Sequence, residues 1–115
     1  GYPILATSIV RRRFDEKGQF YESHGEYPGV VREVANANNV PLLDLQVSTK
    51  ELLIDYGPQN SKKLFLFINP NEYPALPNGR EDNTHLSSVG AFRICDLAIT
   101  ELKAKVPELK EAFKK

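Results

Sequence analysis

Cysteine is nearly missing from this 115-residue chain: Cys95 stands alone, so no internal disulfide can staple the fold. Net charge is missing as well. Fifteen Lys and Arg balance fifteen Asp and Glu, which removes the electrostatic footprint that binding to nucleic acid or a membrane surface requires. No apolar run approaches the roughly 18 residues needed to cross a bilayer. The first residues do not read as a secretory signal, and neither an internal repeat nor a low-complexity tract is present. An initiator methionine is lacking too. The chain opens at Gly1, and the expectation is that processing or cleavage has removed an earlier segment.

What is there is ordinary globular material, 41% apolar and 26% charged. The length suits one small domain or a piece of a larger one. A chain of this size buries roughly 65% of its unfolded surface, so stability alone would be modest.

The run YPILATSIV (2–10) reads as a buried strand, followed by a charged loop that turns at Gly18. Residues 25–39 read as a helix with Pro28 in its first turn, an apolar stripe of Tyr27, Val30, Val31 and Val34, and an Asn-rich stop. VPLLDL (40–45) is a second short strand ending in Asp44. Ser48-x-x-Glu51 forms a capping box for a helix that closes at Gly57-Pro58. SKKLFLFI (61–68) fits a strand or a buried helical turn equally well. The three prolines in 69–79 make that segment loop.

From Ser87, Val89, Phe92, Cys95, Ile99, Leu102 and Val106 recur at helical spacing, which makes Cys95 a small core residue. Pro107 breaks that helix, and 108–115 add a short terminal one. Strands alternating with helices are the grammar of an α/β protein, with parallel strands flanked by helices. Two strands make a poor parallel sheet, so the chain reads as part of a larger one.

The stretch EDNTHLSSVGA (81–91) carries the chemistry. Asp82 stands three residues before His85, just ahead of a helix. A histidine near a carboxylate suits general-base work, because imidazole exchanges a proton near neutral pH while the carboxylate fixes its tautomer. Asp82 or Thr84 capping the helix is the plainer alternative. A metal site from Asp82, His85 and Glu81 or Glu72 is weaker, since no third ligand has helpful spacing. His24 is a second candidate histidine, with a surface role as its default.

The surrounding words carry a resemblance. REDNTHLSSVGAFRICDLAITEL resembles the last block of the SGNH/GDSL hydrolases, which ends in Asp-x-x-His followed by a helix. The words PILATSIVRRRFDEKGQFYESHGEYPGVVREVANANNVPLLDL and GPQNSKKLFLFINPNEYPALPNGREDNTHLSSVGA narrow it to the rhamnogalacturonan acetylesterase branch, from about residue 2 to about residue 105.

The resemblance implies a three-layer α/β/α, flavodoxin-like fold and Ser-His-Asp acyl transfer on acetylated plant cell-wall polysaccharide, with no metal or organic cofactor. It also implies secretion or a periplasmic location. His85 would be the general base and Asp82 the residue that orients it. Arg11, Arg12 and Arg13 would follow a strand at the active-site edge, where a guanidinium can take a uronate carboxylate; a solvated basic loop is the plainer alternative. Tyr27, Tyr73 and the loop 69–79 would line a sugar-binding cleft or else anchor loops, and Thr84 and Leu86 would shape the site.

The chain departs from the family in one large respect. Its serines, at positions 8, 23, 48, 61, 87 and 88, lie in no Gly-Asp-Ser word, and there is no Gly-x-Asn-Asp word. The expectation is a C-terminal half whose nucleophile and oxyanion donors lie in an N-terminal half outside these residues, and which is inactive alone. A non-catalytic carbohydrate-binding or interaction module on the same scaffold is the alternative. Self-association through an open sheet edge is a further expectation.

Overall fold

The structure is a computed structural model that describes residues 1–113. In chain order its elements are β1 (Leu5–Ala6), α1 (Tyr27–Ala37), β2 (Leu42–Leu43), α2 (Leu45–Asn60), β3 (Phe65–Ile68), β4 (Arg80–Leu86) and α3 (Ser88–Lys105). Short 3₁₀ helices cover Ser61–Leu64 and Pro107–Phe113.

β1 and β2 pair in parallel, Leu5 opposite Leu42 and Ala6 opposite Leu43. The apolar run 2–10 is strand only at Leu5–Ala6, because β2 offers just two residues to pair with. Beyond it, side chains take over from the ladder. The Val10 amide donates to Thr49 Oγ1 at 3.1 Å. At the carboxyl ends of the two strands, Thr7 Oγ1 donates to Asp44 Oδ1 at 2.9 Å. Arg32 grips the same carboxylate through Nε and Nη2 at 2.8 and 2.9 Å, which holds the Asp44 carboxyl below its usual range.

α2 begins three residues before Ser48, so the expected capping box does not form. Ser48 instead donates to Glu101 Oε1 at 2.9 Å, tying α2 to α3. Gly57, at φ +74°, breaks the helix where Pro58 follows. The ambiguous run 61–68 contains both forms: a 3₁₀ turn to Leu64, then strand β3.

β3 pairs with β4 antiparallel, not parallel as expected, through a loop at 69–79. The resulting structure is mixed helix and strand in two small two-stranded sheets, compatible with an α/β protein. Among the described residues no helix is long and apolar enough to cross a membrane.

The core is Val10, Leu53, Leu64 and Phe65, ringed by Phe14, Phe20, Leu52, Tyr56, Phe67 and Leu86. Phe14 and Phe20 pack edge-to-face, with ring centroids 5.9 Å apart.

The helical stripes read from the sequence turn outward in part, with Val31, Ile99, Leu102 and Val106 half-buried. On α1, Tyr27 is 79% exposed and Val30 and Val34 are exposed, while Pro28 and Ala35 are buried. On α3, Phe92 is 74% exposed, Val89 is exposed, and Cys95 lies at the surface rather than in the core. Periodicity finds an apolar face, but burial requires a neighbour, and no described element covers the exposed parts of these two. The expected terminal helix appears as 3₁₀ to Phe113; Lys114 and Lys115 lie outside the described residues.

α3 docks by its Gly90–Ile94 edge. Ser87 caps it, accepting from the Gly90 amide at 3.1 Å and donating to the Lys63 carbonyl at 2.6 Å. A Cβ on Gly90 would stand 1.9 Å from the Leu64 carbonyl oxygen. Alanine gains about 1 kcal/mol over glycine inside a helix. Overpacking costs about 1–3 kcal/mol, and here the obstacle is backbone, which cannot swing aside. Gly90→Ala is therefore expected to be net destabilising, seen as a lower urea midpoint. A midpoint equal to or above wild type would show that α3 stands off from Leu64.

Candidate active site

The Asp82–His85 pair owes its shape to a mismatch between two strands. Phe65 faces Leu86 and Phe67 faces Glu81, so two steps along β3 match five along β4. The surplus residues, 82–85, leave the ladder as an excursion. Its amides need acceptors once the ladder is lost, and the Asp82 side chain supplies them. Oδ1 accepts from the amides of Thr84 and His85, each at 2.8 Å. Oδ2 meets His85 Nδ1 at 2.9 Å and Arg80 Nη2 at 3.0 Å.

These bonds all favour the ionised form. The His85 amide and then the Thr84 amide hold the Asp82 carboxyl far below the usual carboxylate range; burial opposes them, and the His85 ring adds a lesser lowering. With Nδ1 committed to Asp82, the hydrogen-bond network assigns the proton to Nδ1 and leaves Nε2 as the acceptor. The Asp82 side chain is 13% exposed and that of His85 is 68% exposed, so the acid is sheltered and the base faces outward. Neither Asp82 nor Thr84 caps α3, since Ser87 does.

Arg12 is drawn into the same place. Its amide donates to the Asn83 carbonyl at 2.9 Å. Its guanidinium donates through Nη1 to Asn83 Oδ1 at 2.7 Å, through Nε to Ser61 Oγ at 3.1 Å, and through Nη2 to the Pro58 carbonyl. Arg11 is exposed and Arg13 half-buried; the Arg13 carbonyl accepts from the Tyr21 amide at 3.1 Å.

His24 belongs to a second network. Its Nδ1 lies 3.2 Å from Glu22 Oε1, and Gln46 Nε2 donates to Glu22 Oε2 at 2.5 Å. Burial pushes the Glu22 carboxyl up, but hydrogen bonds from Gln46, the Ser23 and His24 amides and the His24 ring outweigh it and bring it down. Tyr73 is exposed on the 69–79 loop. No hydrogen bond or ion pair joins His24 or Tyr73 to Asp82 or His85 among the described residues. No group of three His, Cys, Asp or Glu gathers for a metal among them either.

Sequence reasoning missed Arg80 and Asn83. Arg80 would have shared a face with Asp82 had 80–86 been read as strand, but that stretch carries no strand signal. Asn83 had no signal either. Two hollows of the surface lie elsewhere, one beside Arg32 and Asn36 and the other between Tyr2 and Val106.

The pair has a measurable pH signature. The folded Asp82 carboxyl titrates below its ordinary value of 3.8, so the unfolded chain binds more protons than the folded one across that interval. The stabilisation is complete above the unfolded value and is lost as the pH falls from there through the folded value. In urea titrations from about pH 5 down to about pH 2.5, Asp82→Asn is expected to lose less stability than wild type. Equal losses would mean that these bonds do not hold in solution.

Against known proteins, no family profile and no solved structure matches the chain. The chain is 46% identical over 96 residues to the rhamnogalacturonan acetylesterase RhgT of Bacillus subtilis (strain 168). The alignment covers 84% of this chain and 41% of that protein, so the chain spans about two fifths of its relative's length. Along most of its own length, then, the chain is homologous to a rhamnogalacturonan acetylesterase, the resemblance that its motifs already carry.

Proposed function

We propose that this chain supplies the acid–base half of an ester hydrolase that removes acetyl groups from rhamnogalacturonan or a related acetylated polysaccharide. The observation that carries the reading is the His85 ring, held at Nδ1 by an ionised carboxylate with Nε2 turned outward. In this mechanism Nε2 takes the proton of a serine hydroxyl as the serine attacks the acetyl carbonyl. It then returns the proton to the departing sugar oxygen. Asp82 stays ionised throughout and stabilises the imidazolium between those steps. The chemistry requires no metal or organic cofactor.

The serine and the oxyanion donors come from outside these 115 residues, in an N-terminal part of the same domain. The exposed Val30 and Val34 of α1 and Val89 and Phe92 of α3 support that reading, as does a parallel sheet of only two strands. Together the parts would make the three-layer α/β/α domain, exported to the cell surroundings or the periplasm where such polysaccharide is met. Arg11, Arg13, His24 and Tyr73 are the groups offered to acidic sugar rings. Without its partner half, the open β1–β2 edge favours self-association.

The test has two arms. The chain alone is expected to release no acetate above background from acetylated rhamnogalacturonan. Placed in the Bacillus subtilis relative in exchange for the segment it aligns with, it is expected to give an active esterase. There His85→Ala lowers kcat about a million-fold and Asp82→Asn about ten-thousand-fold. A chimera that is indifferent to His85 would overturn the reading in favour of a non-catalytic carbohydrate-binding module.

A further inference from the structure

We infer that Arg12 is the positioning residue of the Asp82–His85 pair, fixing through Asn83 where the imidazole stands relative to the core. The inference rests on the reading of Asp82 and His85 as an acid–base pair and adds to it what holds the pair in place.

The need for such a residue follows from the strand mismatch. Residues 82–85 have left the β3 ladder, and the bonds of Asp82 reach only Arg80, Thr84 and His85. Those bonds set the pair's internal geometry and tie it to Arg80 on the ladder, at one end only. A general base misplaced by 1 Å loses on the order of a hundred-fold in rate, so an excursion tied at one end is a poor platform.

Arg12 makes the attachment. It takes Asn83, between the acid and the base, at both ends: amide to carbonyl at 2.9 Å and Nη1 to the side-chain oxygen at 2.7 Å. The guanidinium is itself fixed, through Nε and Nη2, to fully buried Ser61 and to the Pro58 carbonyl beyond the α2 break. Its central carbon lies over two rings, 5.6 Å from the Phe14 centroid and 5.2 Å from that of Phe67. Phe67 is opposite Glu81, where the excursion begins. A planar fork with donors on three sides can join three acceptors at once, whereas a lysine ammonium is a compact point charge on a flexible stem. These protein acceptors occupy the guanidinium that the sequence offered to a uronate.

The experiment reads the His85 tautomer directly, by long-range ¹H–¹⁵N spectra of the ¹⁵N-histidine-labelled 115-residue chain. In wild type His85 is expected to carry its proton on Nδ1. In Arg12→Lys, which keeps the charge and the backbone bond to Asn83, that pattern is expected to persist, while ¹⁵N relaxation shows the order parameter of the His85 amide falling from about 0.85 toward about 0.6 as the intact pair comes loose from the core. The His24 amide, bonded to Glu22 in its separate network, is the internal reference and should not change. Asn83→Ala, which removes only the side-chain acceptor, should loosen the His85 amide in the same direction, and it decides the matter if Arg12→Lys does not fold.

An unchanged order parameter at the His85 amide in either folded variant overturns the inference. So does a loss shared equally by His24, which would mean general loosening. A wild-type chain with the proton on Nε2 would overturn the acid–base reading beneath it, a failure visible before any variant is made.

Discussion

The backbone at Leu64 is the fixed point of this molecule. Its side chain is fully buried against Val10, Leu53 and Phe65. Its carbonyl accepts from the Ser87 amide at 3.1 Å, and Gly90 crosses directly over it. Three elements therefore meet at one peptide: the start of β3, the end of β4 and the first turn of α3. Because glycine brings no Cβ, the helix can lie closer there than any other residue would permit. With Leu86 held opposite Phe65 and Glu81 opposite Phe67, the ends of the excursion are set, and the residues between them must leave the sheet.

That constraint explains why an acid and a base so close in sequence face as they do. A regular strand would send Asp82 and His85 to opposite faces, since side chains alternate with a period of two. The excursion cancels the alternation, and the aspartate turns inward to satisfy amides that the ladder abandoned. The charge distribution follows from the same bonds. The carboxylate is enclosed by donors on both oxygens, and the imidazole is left with its outer nitrogen toward solvent.

How much of this is legible in the sequence depends on how local the cause is. The α1 span, its Pro28 start and the break at Gly57-Pro58 are legible because turn and helix chemistry is written within a few residues. The adjacency of Asp82 and His85 is legible for the same reason. Ser48 shows the limit: its Ser-x-x-Glu spacing is a good capping signal, yet Glu101, 53 positions away, takes its hydroxyl. The stripes of α1 and α3 show another, since a repeat of apolar residues says that a face wants cover and not that cover is present. Run 61–68 was ambiguous because it is a 3₁₀ turn and a strand in succession. The antiparallel β3–β4 pairing was missed because the strand-like part of 80–86 is charged and carries no alternating apolar signal.

The bonds of the site also differ in how far along the chain they reach. Asp82 finds every partner within three residues, so closing those contacts costs little chain entropy once the register of β3 on β4 has set the excursion. The bond from Arg12 to Asn83 spans 71 positions and forms only when the two ends of the chain have come together. The acid–base couple therefore has the contact order of a turn, and its placement has the contact order of the whole fold. On the way to the native state the couple can assemble first and be docked last. On the way out, mild destabilisation sets it adrift while still intact.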